Sequence, residues 1–257
     1  MASPVRAKKH LGQHFLCDEN IAKKIVDSIP QNDVPLVEIG PGTGVLTKYL
    51  INSRKHFYAL DVDIESIDYL HQLFPEKKNQ IIFSDFLKAD LKQIAGDKFM
   101  VIGNFPYNIS SQIMFKVLEC RNNIPVVVGM FQKEVAQRMA EKPGTKVYGI
   151  LSVLLQAYFK IEYLFTVHEN VFNPHPKVKS AVVRFTRNET EKLSCDETLF
   201  FQVVKTAFNQ RRKQLKNSLK SLLPENNFEN VILNKRPEQL SVSEFVELTH
   251  LIEKKSS

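Results

Sequence analysis

Val37-Glu38-Ile39-Gly40-Pro41-Gly42-Thr43-Gly44 joins an apolar strand to the start of a helix. Glycines at such a turn let the backbone pass close to a ligand and present N–H groups at a helix N-terminus. On either side, apolar strands alternate with amphipathic helices. Strands are expected at 36–39, 57–60, 81–83, 99–102 and 126–131, with helices near 45–54, 64–73, 111–120 and 132–141. That alternation predicts a parallel sheet with helices on both faces. Two more strand candidates, 158–166 and 180–186, complete a seven-stranded α/β sheet of Rossmann-like type with an antiparallel edge. Upstream, Asp18 caps a helix with Ile21, Ile25, Val26 and Ile29 at helical spacing, ending at Pro30.

The strand ends carry the polar residues. Asp61 closes the second strand, 21 positions after Gly40, and is placed to accept hydrogen bonds from ribose hydroxyls. Ser84-Asp85-Phe86 ends the third strand and offers a polar point for an adenine amino group, although Asp85 also suits a helix cap. A nicotinamide dinucleotide enzyme would use similar elements. The third glycine of G-x-G-x-x-G, however, falls on Val45, and Glu38 instead gives E-x-G-x-G-x-G, the form seen in S-adenosylmethionine sites. Open parallel sheets bind ligands at these carboxyl ends.

The fourth strand runs into Ile102-Gly103-Asn104-Phe105-Pro106-Tyr107-Asn108-Ile109-Ser110. Pro106 fixes its own φ and makes Phe105 extended, so the neighbouring carbonyls are held in place. The Asn104 carboxamide and the Pro106 carbonyl are two acceptors suited to an exocyclic amine with two N–H donors. Tyr107 adds a flat face for a planar base. Taken alone, the stretch also reads as a polar strand-to-helix turn with an Asn cap.

The 257 residues allow one sizeable domain and a small one. Lys and Arg number 35 against 28 Asp and Glu, a net charge of +7 that suits a polyanionic partner. Three well-separated cysteines, Cys17, Cys120 and Cys195, argue against a disulfide framework or a zinc site. No metal site is expected. Basic residues at Arg6, Lys8 and Lys9 lead into Gly12-Gln13-His14, which interrupts any signal-peptide apolar core. The longest apolar runs, near 124–131 and 150–155, are too short to span a bilayer. A soluble, cytoplasmic protein without a membrane partner is expected, and a monomer. Strand signals stop after Thr186–Ser194, so the division is a Rossmann-like domain with a basic arm over 1–188 and a helical domain over 189–257. In the latter, one helix is expected from 198 to 223, ended by Pro224, with further helices at 228–234 and 243–253.

Together these residues resemble the ribosomal RNA adenine dimethyltransferase family, along nearly the whole chain. The resemblance rests on Leu11-Gly12-Gln13-His14-Phe15-Leu16, the Glu38–Gly44 loop, Asn104–Ser110 and Gln132-Lys133-Glu134-Val135. It continues through Tyr148–Val153, Phe172-Asn173-Pro174-His175-Pro176-Lys177-Val178-Lys179-Ser180-Ala181-Val182-Val183-Arg184 and Phe208-Asn209-Gln210-Arg211-Arg212-Lys213. It implies a class I methyltransferase fold and S-adenosylmethionine as cofactor, leaving as S-adenosylhomocysteine. His14, Leu16, Gly40, Gly42, Asp61, Asp85, Phe86 and Asn104 would hold that cofactor. Four positions depart from the family pattern: His14 for Asn, Asp61 for Glu, Phe105 for Leu and His175 for Pro.

The implied reaction is dimethylation of N6 on two adjacent adenines in the 3'-terminal hairpin loop of 16S rRNA, late in 30S subunit assembly. Asn104 and Pro106 would bind the amine, with Tyr107 and Phe172 sandwiching the base. Arg212, Lys216 and Lys220 recur every four residues on the helix expected from 198, flanked by Arg211 and Lys213. They would form a phosphate-tracking stripe, although a charge run also suits a solvated face. Two other readings stay open: an enzyme acting on large-subunit rRNA, and a non-catalytic RNA-binding assembly or transcription factor.

Overall fold

The computed structural model describes residues 5–223 and 230–253. By internal contact the chain divides into two compact units. The first comprises the residues up to Ala136 with Glu162–Arg187, and the second Gln137–Ile161 with the residues from Asn188 onward. The segment 137–161, placed with the first domain on sequence, therefore packs within the second unit.

The first unit opens with β1 (Phe15–Leu16) and α1 (Glu19–Asp27), then alternates β2 (Leu36–Ile39), α2 (Thr47–Leu50), β3 (Phe57–Asp61), α3 (Ile64–Leu73), β4 (Ile81–Phe83), α4 (Leu91–Ala95), β5 (Met100–Asn104), α5 (Ser110–Glu119) and β6 (Val126–Gln132). The chain continues through α6 (Lys133–Ala140), α7 (Ile150–Gln156), β7 (Phe159–Val167), β8 (Phe172–Asn173) and β9 (Ser180–Arg187). Seven strands form one sheet in the order β4-β3-β2-β5-β6-β9-β7. Pairings among β2 to β6 are parallel, and β9 runs antiparallel to β6 with Val182 opposite Met130. The expected sheet and its antiparallel edge are both present. All four residues of β2 are buried, as are Met100 to Gly103 of β5, because helices cover both faces of a parallel sheet.

Strand order reverses between β2 and β5, opening a crevice at their carboxyl ends. The caps there are local chemistry. Asp18 accepts from the Asn20 and Ile21 amides at 2.8 and 3.0 Å to start α1, and Asp63 accepts from Glu65 N at 3.1 Å to start α3. The helix expected over 45–54 shortens to α2, and the five-residue α4, capped by Asp90, was not expected.

In the second unit, α8 (Glu197–Asn209), α9 (Leu215–Ser218) and α10 (Val242–Glu253) join α7. The buried side of α8 is Phe200, Val203, Val204 and Ala207; Phe201 and Phe208, expected inside, are only half-buried. Its start is stapled to the end of α10. Ser194 Oγ meets His250 Nε2 at 3.0 Å, His250 Nδ1 meets Glu253 at 3.0 Å, and Glu253 also accepts from the Asp196 amide. The single helix expected over 198–223 is a correction. The chain leaves helix at Gln210 and resumes at Leu215, whose amide donates to the Lys235 carbonyl at 2.9 Å. A tertiary partner thus replaces the intrahelical bond. Of the segment expected at 228–234, Val231–Asn234 forms a single 3-10 turn, while 228, 229 and Pro224 lie outside the described residues. Among the described residues no helix is long and apolar enough to cross a membrane.

Candidate active site

The crevice between β2, β3 and β5 holds a cavity of about 280 Å³. Gly40 and Gly42 line it with φ of 65° and 55°, a left-handed turn that puts the loop backbone at the wall. A Cβ placed on Gly40 would meet nothing closer than Pro106 Cδ at 3.9 Å, so the loop's surface is open there. Asp61 is tied down at both oxygens: Gly42 N donates to Oδ2 at 3.2 Å and Asp63 N to Oδ1 at 3.0 Å. Burial pushes the Asp61 carboxyl above its ordinary range. Val62 and Leu87 add apolar wall beside Asp85, whose Oδ1 accepts from Leu87 N at 3.0 Å. Asp85 therefore caps its own turn as well as facing the cavity. Phe86 is 4% exposed, and Leu87 lines the cavity in its place.

On the β5 side, the sequence puts a glycine on each of two adjacent strands at one level, Gly103 opposite Gly129. The Phe105 ring seats over both: Cβ atoms on Gly103 and Gly129 would come within 2.8 and 2.5 Å of it. Edge-on packing against Phe131, with centroids 5.1 Å apart, completes the seat. The anchored ring holds Asn104 and Pro106 on either side of it at the cavity wall. Asn104 Nδ2 donates to the His14 carbonyl at 2.9 Å, which turns Oδ1 away from the arm. The Pro106 carbonyl accepts from Ile109 N at 3.2 Å, and its second lone pair remains. Tyr107 hydroxyl bonds Ser180 Oγ at 2.5 Å, and burial raises its pKa.

The arm closes the cavity with His10 to Phe15. The His14 ring stacks on Tyr107, centroids 5.4 Å apart and 29° between planes, and its Nδ1 lies 2.8 Å from the Pro174 carbonyl. Leu16 is buried and pairs with Phe172, lining a smaller cavity behind Gly40 and Gly42. Phe172 is the main correction. It was expected to be held outward against a base, yet it is 1% exposed in the apolar cluster containing Leu16, Ile25 and Val167. Its pairing with β1 turns the ring inward. Sequence reading also missed Val62, Leu87 and Asn108 as cavity residues; Val62 had a signal, since it directly follows the strand-end acid Asp61.

Beneath the loop, Glu38 is fully buried and accepts from Thr47 Oγ1 at 2.8 Å. Burial, with a smaller push from Asp61, raises its pKa to about 8, so it is a neutral acid at pH 7. The wall suits S-adenosylmethionine. It offers carboxylates for a ribose diol and an amino group, apolar side chains for a purine face, and an open glycine turn. In the second unit, Arg212, Lys213, Lys216 and Lys220 are exposed, but the break after α8 removes the continuous face inferred from their spacing. Arg211 is engaged internally, donating to the Thr145 carbonyl at 3.1 Å.

The family model for ribosomal RNA adenine dimethylase matches residues 5–254. Ribosomal RNA small subunit methyltransferase A of Flavobacterium johnsoniae is 58% identical over 252 residues, covering 97% of each chain. Among solved structures, a dimethyladenosine transferase from Plasmodium falciparum superposes with a TM-score of 0.79 at 26% identity, covering 95% of this chain and 98% of that one. The 23S rRNA methyltransferase ErmE shares the fold, with a TM-score of 0.69 at 24% identity over 92% of this chain and 99% of its own. The chain thus belongs to the ribosomal RNA adenine dimethylase family, S-adenosylmethionine-dependent methyltransferases of class I fold.

Proposed function

We propose that this protein dimethylates N6 of two adjacent adenines in the 3'-terminal hairpin loop of 16S rRNA, acting as a cytoplasmic monomer on a late 30S assembly intermediate. The observation that carries the reading is the Asn104 carboxamide, oriented by the His14 carbonyl so that Oδ1 and the Pro106 carbonyl present two acceptors at one cavity wall. The bound cofactor supplies an electrophilic methyl group on a sulfonium centre.

Adenine N6 is a poor nucleophile because its lone pair is delocalised into the ring. Asn104 Oδ1 and the Pro106 carbonyl take its two hydrogens, favour a pyramidal nitrogen and aim the lone pair. Positioning and fixed dipoles carry the rate, and the proton leaves to water after transfer. After the first methylation one N–H remains, and either acceptor can hold it, which suits a second transfer. Asp61 receives the ribose hydroxyls and Asp85 the adenine amino group of the cofactor, while Gly40 and Gly42 pass close to it. The target base leaves its stack and lies on Tyr107, displacing the His14 imidazole while the His14 backbone stays. Arg212, Lys213, Lys216 and Lys220, all exposed, contribute phosphate contacts in the second unit, with Arg211 bracing the turn beside them. A small-subunit substrate is favoured over a large-subunit one by the 58% identical relative that carries that name.

The test is methyl transfer from labelled S-adenosylmethionine to small subunits from a strain lacking this modification, followed by nucleoside analysis. Dimethyladenosine in the small-subunit RNA is expected. Tight subunit binding without label would move the protein to the assembly-factor role.

A further inference from the structure

The arm that supplies the His14 carbonyl is itself tied to a buried carboxylate, that of Asp63. Asp63, the residue two beyond Asp61, is 1% exposed. Its carboxylate accepts from Lys8 Nζ at 2.5 Å and Gln13 Nε2 at 2.8 Å. Gln13 returns through Oε1 to the Lys8 amide at 2.7 Å, so the two arm residues and the carboxylate form a closed ring of hydrogen bonds. Burial alone would raise the Asp63 carboxyl; the bonds from Lys8 and Gln13 hold it below the usual carboxylate range. On its other side, Asp63 N donates to Asp61 Oδ1. A continuous chain thus runs from Gly42 through Asp61 and Asp63 to Gln13, and one residue further to the His14 carbonyl and Asn104.

We propose that Asp63 and Gln13 are positioning residues for methyl transfer: they clamp the arm so that the His14 carbonyl sets the rotation of the Asn104 carboxamide. Neither touches the amine. Their effect is exerted through the arm, and it rests on the reading of Asn104 as an amine acceptor. Without the clamp, the arm near the cavity keeps the Lys8–Glu65 ion pair, the short β1–β8 pairing and hydrogen bonds at His14, Cys17 and Asn108, and loses the tie through Gln13, the neighbour of His14. Asn104 is then free to turn its donor toward the substrate amine, which leaves two donors facing each other.

The experiment compares Gln13→Ala, Asp63→Asn and the double substitution Gln13→Glu with Asp63→Asn. The double variant reverses the donor and acceptor across the same gap, and Asn remains a good cap for α3. For Gln13→Ala, kcat should fall on the order of 10- to 100-fold, the loss typical of a misplaced reacting group. Cofactor KM and melting temperature should change little, and trypsin should cut faster after Lys8 and Lys9. The double variant should recover most of kcat and the protection of the arm. Unchanged kcat and cleavage in Gln13→Ala would overturn the proposal, as would a kcat loss that the reversed pair does not restore. If the double variant fails to fold, Gln13→Ala decides by itself. Asn104→Ala measured alongside separates the two readings: should it stay active, the amine assignment fails, while arm cleavage still reports on the clamp.

Discussion

The Asn104 carboxamide nitrogen donates to the backbone carbonyl of His14 at 2.9 Å, joining residues 90 positions apart. The bond fixes which end of the amide faces the cavity, and the acceptor role proposed for Asn104 rests on it. Removing that side chain should cost methyl transfer without costing RNA affinity. For Asn104→Ala a loss on the order of 10²- to 10³-fold in kcat is expected, the range for one preorganised polar group. Asn104→Asp should be no better, because a carboxylate sets oxygen against the His14 carbonyl. Filter binding of small subunits beside single-turnover transfer measures both quantities; equal activity in Asn104→Ala would remove the amine assignment.

Tyr107 separates stacking from hydrogen bonding. Tyr107→Ala removes the ring face, worth roughly 1–3 kcal/mol per base in stacking sites, so kcat/KM should fall about 10- to 100-fold. Tyr107→Phe keeps the face and loses only the 2.5 Å bond to Ser180, a change of about 1 kcal/mol. Steady-state kinetics on both variants checks the order. Similar losses in the two would place the work in the hydroxyl and not in the ring.

What was legible in the chain follows from what is local. β2 and β4 fall where the apolar runs put them, and α3 starts at its Asp cap, since strand burial and capping are written within a few residues. The polar strand ends Asp61, Asp85 and Asn104 do meet at one cavity. Two readings failed where a distant partner decides. Phe172 looks like a presented aromatic beside prolines, but pairing with β1, some 156 residues earlier, turns it inward. Arg212, Lys216 and Lys220 share a face only on an unbroken helix. The break at Gln210–Gln214 has no Gly or Pro to announce it; the Lys235 carbonyl makes it possible. The Asp63 clamp was invisible for the same reason, since neither Lys8 nor Gln13 carries any mark of its partner.

Stability should fall as pH rises, because of Glu38. Its carboxyl has a pKa of about 8 when folded against an ordinary 4.5, so between those values the folded state binds a proton that the unfolded state has lost. The slope of unfolding free energy with pH is then negative, approaching 1.4 kcal/mol per unit. Denaturant titrations at pH 5.5, 6.5 and 7.5 should show the wild type weakening upward, and Glu38→Gln, which keeps the acceptor for Thr47 without a proton to lose, should show a flatter profile. Parallel profiles would mean that Glu38 is ionised in the folded protein.

The seat of Phe105 makes the last prediction. A methyl on Gly129 would come 2.5 Å from the Phe105 ring and 2.7 Å from the Phe131 ring, in a sheet position with no room to yield. Gly129→Ala should therefore destabilise by about 1–3 kcal/mol through overpacking. It should also lower activity, because the displaced Phe105 carries Asn104 and Pro106 with it. Phe105→Leu removes the planar ring from that contact and leaves a smaller apolar side chain over the two glycines. Combined with Gly129→Ala, it should recover part of both stability and kcat, giving a coupling energy of the sign expected for residues in direct contact. Thermal melts and single-turnover rates on the four proteins of this cycle measure it. Additive losses would mean that Phe105 does not transmit the clash, and that Asn104 is held by the sheet hydrogen bonds alone.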